Sequence, residues 1–545
     1  MAGRDEPVSD RRILAGIVAL AAIALLIGGA FAGLLVEGLR DLGGAAAAFD
    51  AYLGRIVWFT LWQAALSTAL SVVPAILVAR ALARHPAFPG RALILRLFAL
   101  PLALPAIVAA LGILALLGRA GLLAAPLSAL SGGNWPGIYG LSGILVAHVF
   151  FNLPLATRLF LEALDTLPAD QWRLASQLGM GPAASFRLIE WPAMRAALPG
   201  TAGLVFMLCI TSFTIVLTLG GGPAATTLEV AIYQALRFDF DPARAVTFTV
   251  LQIALTAVVM IVLTRLGANA VVDASLPVAP RKFVTIGRAE AVFNTILVVL
   301  ALIFVAAPVA ATLIAGLTAD LARLAADPSV QRATATSIVL AVLSAILSVA
   351  MSLALAAARQ ALSRGRAKGV GLLEGAAGTG AGFVLVVPPV VIGAGWFVLL
   401  RHTGFLFAAA PLMVATVNAV MAMPFVIRAI RPAYDAAGER NDRLCAQLGI
   451  AGWNRARLID WPALRKPIAT GFAFAMALSL GDLGVIALFG SDSVQTLPYL
   501  LLARLGSYRT DDAAGLALLL GLLCLALVFF ADRLGADRFG KEKPA

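Results

Sequence analysis

After the polar start MAGRDEPVSDRR, the chain runs from Ile13 to Val36 for twenty-four residues without a charged side chain. A helix needs about 20 apolar residues to cross roughly 30 Å of hydrocarbon. Backbone in lipid must also satisfy its own N–H and C=O groups, which a helix does. The run therefore predicts a transmembrane helix. It is longer than the apolar part of a signal peptide and lacks a small-residue cleavage site, so it reads as a retained first span. Counting this window at 12-35, similar ones recur near 57-79, 94-118, 139-161, 199-221, 246-266, 290-317, 333-357, 378-400, 406-427, 468-490 and 513-531, which predicts an all-α polytopic membrane protein with 12 transmembrane helices. Composition agrees: 61% hydrophobic residues, 13% charged residues and a mean hydropathy of +0.95 lie outside the range of soluble domains.

The formal net charge of +12 would suit nucleic acid if it formed one continuous face. Instead the basic residues gather in alternate loops: Arg80, Arg84 and Arg91; Arg281, Lys282 and Arg288; Arg359, Arg364, Arg366 and Lys368; then Arg533, Arg538, Lys541 and Lys543. This is the distribution of the positive-inside rule. It places both termini in the cytoplasm, makes the lipid bilayer the partner and leaves no nucleic acid to bind. Loops 36-56, 119-138, 223-245, 318-331 and 491-512, poorer in Lys and Arg or balanced by Asp, then face outward. Cys209, Cys445 and Cys524 have no metal-site or disulfide spacing. With three histidines, His85, His148 and His402, and no nucleophile beside a base, nothing supports an enzyme.

The chain repeats itself. RLASQLGMGPAASFRLIEWP at 173-192 returns as RLCAQLGIAGWNRARLIDWP at 443-462, an offset of 270, and twelve of the twenty-three positions from 173 to 195 are identical. The same offset pairs Asp165 with Asp435, Arg158 with Arg428, Pro154 with Pro424 and His148 with Asn418. At an offset of 283, Pro105, Gly112 and Gly121 match Pro388, Gly395 and Gly404. Six spans repeat as six, so the halves enter the membrane in the same orientation. The first half is expected at 1-275 with a cytoplasmic loop at about 162-198, and the second at 276-545 with a loop at about 432-468. Connections usually take about four to six residues, so two patterned loops of roughly thirty-five have another purpose. Each reads as a short amphipathic helix, a stop at Gly179 or Gly449, and a second helix entering the next span at Trp191-Pro192 or Trp461-Pro462. A helix, turn and helix on the membrane face makes a docking element. Two copies suit a two-fold partner.

The glycine, the isoleucine ten residues on and the Trp-Pro resemble the EAA loop of ABC importer permeases, which docks into a cleft of the cytoplasmic ATPase. The implied coupling residues are Arg173, Gln177, Gly179, Met180, Gly181, Ile189, Trp191 and Pro192, then Arg443, Gln447, Gly449, Ile450, Ala451, Ile459, Trp461 and Pro462. The chain departs from the family at the loop's glutamate, where it has Arg173 and Arg443, with Asp170 or Glu190 as candidate replacements. The stretch FTIVLTLGGGPAATTLEVAIYQALRFDFDPARAV resembles the fifth-span end and following external loop of thiamine importer permeases, whose two halves are fused. The resemblance implies a type I importer permease fold in a bacterial inner membrane, carrying thiamine or its phosphates. Sister permeases for ferric iron, putrescine or other small solutes share the fused architecture.

Neither half contains the G-x(4)-G-K-[ST] phosphate loop. Glycine-rich GAAGTGAG at 375-382 lacks the lysine and reads as helix packing. Energy must then come from a partner. The resemblance implies two copies of a separate ATPase that binds ATP and Mg, and a periplasmic substrate-binding protein. Arg237, Phe238, Asp239, Phe240, Asp241 and Arg244 offer an external docking surface or gate, or simply a solvated loop. For the solute pathway, Ser212, Thr214, Thr218, Ser479 and Asp482 are the polar candidates inside spans, where polarity is costly; Asp482 could equally pair with a neighbouring donor. Lower in order come Asn152, His148, Asn418 and Glu374, with His148 and Asn418 suited to interhelical hydrogen bonds. A secondary transporter of major-facilitator type is the rival class, with twelve spans in two parallel halves but no need for such loops after the fourth span of each.

Overall fold

The computed structural model describes residues 7-85, 88-133, 135-265, 287-363, 387-450, 452-492 and 494-536. These residues are helical throughout their regular parts, with an isolated bridge at Ser491 and Val494 as the only extended pairing among them. Among the described residues nine helices are long and apolar enough to cross a membrane, or ten if Arg91–Ala103 and Ala106–Leu117 count as one span bent by 110°. That differs from the expected 12. The 378-400 window lies partly outside the described residues, leaving Pro389–Arg401, and the 468-490 window breaks after Trp461–Gly481. Arg281, Lys282, Arg364, Arg366, Lys368, Glu374, the 375-382 stretch and the tail basic residues from 538 on lie outside the described residues. The bend in the third window has a local cause. Pro105 pushes Leu104 to ψ 135°, out of the helical region, so the helix stops and restarts.

Two compact units divide the chain. One takes Phe49–Ala231 and Ala254–Ala319, the other Met1–Ala48, Ile232–Ile253 and Asp320–Ala545. They do not coincide with the halves at 1-275 and 276-545, because the first span of each half is lodged in the unit built mainly from the other. In the first unit, a β-carbon on Gly112 would collide with the Pro308 carbonyl and the Thr312 hydroxyl of the helix Arg288–Thr318. In the second, a β-carbon on Gly395 would collide with the Ala30 carbonyl, and one on Gly33 with the Gly395 carbonyl. Trp396 adds an Nε1–H bond to the Leu26 carbonyl at 2.7 Å. Gly112 and Gly395 are the pair matched by the repeat, and their shared task is to admit a foreign span at backbone contact.

A further correspondence ties each unit together. Leu228 N–H donates to the Thr60 hydroxyl at 3.1 Å in one unit, and Leu497 N–H to the Ser337 hydroxyl at 2.8 Å in the other. Leu228 and Leu497 each begin a ten-residue helix after the broken span, Leu228–Arg237 and Leu497–Gly506. A hydroxyl from another span satisfies an N–H that the start of a helix leaves without an internal partner.

Candidate functional site

The first loop opens with the helix Ala169–Gln177, whose Trp172 and Ala175 are buried. At its end Gly179 adopts φ +61°. Gly179 N–H donates to the Ser176 carbonyl at 3.1 Å and Met180 N–H to the Ala175 carbonyl at 3.0 Å. These two bonds make a Schellman cap, in which a left-handed residue lets the last carbonyls find donors. No atom lies within 4 Å of a β-carbon built at Gly179, so the demand is on backbone conformation and not on space. Helix resumes at Pro182 and widens into a π turn, Phe186–Glu190, closed by Trp191 N–H to the Phe186 carbonyl. Pro192 is the cause: it has no N–H, its ring crowds the carbonyl four residues back, and one wider turn relieves both.

The second loop repeats this geometry. Gly449 has φ +61°, Ile450 N–H donates to the Cys445 carbonyl at 2.9 Å, and the π turn Ala456–Asp460 precedes Trp461 and Pro462. Its first helix is no separate element but the end of the 38-residue helix Ala410–Gln447. Arg173, Gln177, Gly179, Gly181 and Pro192 are exposed, as are Arg443, Gln447, Gly449, Trp461 and Pro462, while Met180, Ile189, Trp191, Ile450 and Ile459 are half-buried. Ala451 lies outside the described residues. Both loops also present three leucines each, and in the first loop these belong to the apolar sides expected of its two short helices. Leu174, Leu178 and Leu188, and their counterparts Leu444, Leu448 and Leu458, are between 50% and 68% exposed. Exposed apolar side chains grouped on a polar loop mark an interaction site.

Neither candidate replacement for the family glutamate is free. Asp170 accepts from Arg173 Nη1 at 3.2 Å on the exposed face. Glu190 is buried, receiving Arg80 Nε and Arg84 Nε at 2.9 Å each. Both guanidiniums reach on to Glu290 Oε1, at 3.1 Å from Arg80 and 2.8 Å from Arg84. Arg84 Nη2 also donates to the Pro182 carbonyl at 3.2 Å, and Arg80 lies 5.2 Å from the Phe186 ring centre. The helix ends favour this arrangement, because Arg84 closes Ala51–Arg84 and Glu290 sits in the first turn of Arg288–Thr318. In the second loop Asp460 stands where Glu190 does, and Arg455 reaches Asp442 at 2.6 Å and Asp460 at 3.5 Å. Burial opposes the Arg455 charge, but the carboxylates outweigh it and hold the guanidinium above its usual pKa.

The proposed pathway residues gather at equivalent breaks. Helix Trp191–Ile210 ends and Phe213–Leu219 begins with Ser212 between them. Trp461–Gly481 ends at Asp482, whose carboxylate accepts the N–H groups of Gly484 at 3.2 Å and Val485 at 3.4 Å to cap the next short helix. Thr214 is half-buried on the first short helix. Thr218 spends its hydroxyl on the Thr214 carbonyl at 2.8 Å. Ser479 accepts from Asn418 Nδ2 at 3.0 Å and donates to the Ser344 hydroxyl at 3.2 Å, while His148 Nδ1 lies 2.9 Å from the Ser67 hydroxyl. Asn152 Nδ2 reaches Cys209 Sγ at 3.3 Å. One polar residue went unnoticed in the sequence: Glu229 is 1% exposed, and both carboxylate oxygens are buried without a hydrogen-bond partner among the described residues. Its only sequence signal was an acid in a predicted external loop. In that loop Arg237 donates to the Gly490 carbonyl at 2.8 Å, while Phe238, Asp239, Phe240 and Asp241 are exposed.

Broken spans, paired loops and exchanged first helices describe a membrane permease, and the chain matches the family described as "Binding-protein-dependent transport system inner membrane component" over residues 71-272 and 373-536. It belongs to that family and is a multi-pass inner-membrane component of a binding-protein-dependent transport system. Over 525 residues it is 56% identical to the thiamine transport system permease protein of Brucella abortus (strain 2308), covering 96% of each chain. To the protein of the same name from Escherichia coli (strain K12) it is 40% identical over 543 residues, 98% of each chain. The Haemophilus influenzae protein of that name is 38% identical over 525 residues, 95% of this chain and 96% of its own.

Proposed function

We propose that this chain is the transmembrane permease of an ATP-driven importer that carries thiamine, with its phosphates as further candidates, from periplasm to cytoplasm. The observation that carries the reading is the pair of glycine-capped loops with matching exposed leucines, one per half. Each loop is read as the seat of one ATPase subunit, so two copies bind ATP and Mg outside this chain. Both termini lie in the cytoplasm on this reading, and the binding protein docks outside. Closure of the ATPase pair moves the loops, and the spans joined to them exchange inward and outward access as rigid bodies. Thiamine as the solute is supported by near full-length similarity to permeases of that name. A cationic solute also suits the buried, unpartnered carboxyl group of Glu229, since polar groups in such surroundings are costly without a function.

Ferric iron or putrescine is the alternative cargo, each also cationic. The class is tested by purifying the tagged chain from membranes. An ATPase should accompany it at two copies per chain, and uptake into vesicles should require ATP. Uptake driven by an ion gradient with no ATPase present would instead indicate a secondary transporter.

A further inference from the structure

The two loops carry the same docking turn but are gripped differently by the span that enters two helices earlier in their own half. In the first half the grip falls after the glycine turn. Arg80 and Arg84, at the end of the second span, hold Pro182 and Glu190, and Glu290 joins from the seventh span. The Arg84 and Glu190 side chains are 2% and 1% exposed, so water neither screens nor replaces the contact.

In the second half the eighth span, Pro328–Ser363, grips before the turn. Arg359 Nη1 reaches Asp435 at 3.2 Å, and Gln360 Nε2 the Tyr434 carbonyl at 3.4 Å. Arg359 and Asp435 are 27% and 36% exposed, where an ion pair holds weakly. After the turn the second loop is held by its own Arg455.

We propose that Glu190 is a positioning residue for energy coupling, passing movement of the first loop to the second and seventh spans through Arg80 and Arg84, while the second loop moves its spans through the continuous helix Ala410–Gln447. This rests on the reading that the loops seat the ATPase.

The test uses the full chain reconstituted with its ATPase and binding protein, and reads thiamine moved per ATP hydrolysed. Glu190→Gln should lower that ratio about tenfold, within the range of a coupling interaction. Glu190→Asp should recover most of it, and Asp435→Asn should change it less than about twofold. A purely structural role predicts that uptake and hydrolysis fall together with the ratio unchanged, and that result would overturn the proposal. So would equal losses of the ratio in Glu190→Gln and Asp435→Asn. Should Glu190→Gln fail to insert, Arg80→Gln, at the 16% exposed edge of the cluster, reads the same ratio with the same expected fall. An unmodified chain that binds no ATPase would overturn the seating reading itself, a separate result from an unchanged ratio in an assembled complex.

Discussion

Glu190 and Gly179 sit in one loop, yet physics asks different things of them. Glu190 faces two guanidiniums in a buried cluster, and removing one partner of such a group costs about 3–5 kcal/mol because the remaining charges stay desolvated. Glu190→Gln should therefore lower the thermal unfolding midpoint in detergent clearly more than Asp170→Asn, which breaks only an exposed pair. Gly179→Ala meets no atom, so its cost is the left-handed backbone, about 1 kcal/mol; a small midpoint shift with full insertion is the expected result. Glu229→Gln replaces an unpartnered buried carboxyl group, so thiamine uptake should fall while the unfolding midpoint stays or rises. A drop in the midpoint would show that the carboxylate has a structural partner. The glycine stop and the Trp-Pro entry were legible because local rules govern them. The arginines that hold Glu190 were not, being more than a hundred residues away in sequence and carrying no signal beyond their place at a span end.

At the scale of elements, apolar windows locate segments but do not register a break within one, so the described residues hold fewer continuous spanning helices than there are windows. Pro105 was visible as a residue but its 110° bend was not. Asp482 looked like a charge in a span, whereas it caps a new helix; the Asp-Leu-Gly that follows Gly481 was the available clue. The loops differ for an equally local reason. Pro168 begins a fresh helix in the first loop, and its counterpart in the second is Gly438 inside Ala410–Gln447. Proline there costs about 3 kcal/mol in a helix interior, so Gly438→Pro should break that helix and reduce ATP-dependent uptake, with membrane insertion retained. Pro168→Gly, which removes only a helix start, should be much milder by the same assay.

For the molecule as a whole, sequence repetition pairs stretches of the chain but does not reveal that Pro7–Arg40 and Arg288–Thr318 pack in different units from the spans that follow them, since identity along a chain carries no information on which neighbour a helix packs against. Gly112 and Gly395 were recognised as a matched pair, and only the packing shows why each must lack a side chain. Gly395→Leu should dislodge the helix Pro7–Arg40 and destabilise the unit that holds it, whereas leucine at Gly28, which has no atom within 4 Å of an added β-carbon, should be tolerated. Protease sensitivity of the purified chain separates the two. The central claim, an ATP-driven permease for thiamine, is tested most directly by radiolabelled thiamine uptake into liposomes holding the chain with its ATPase, binding protein supplied outside and ATP inside. The account predicts uptake that needs all three components and is blocked by excess unlabelled thiamine but not by putrescine or ferric iron. Uptake that persists without ATP, or a complex that moves putrescine or iron and leaves thiamine outside, would contradict it.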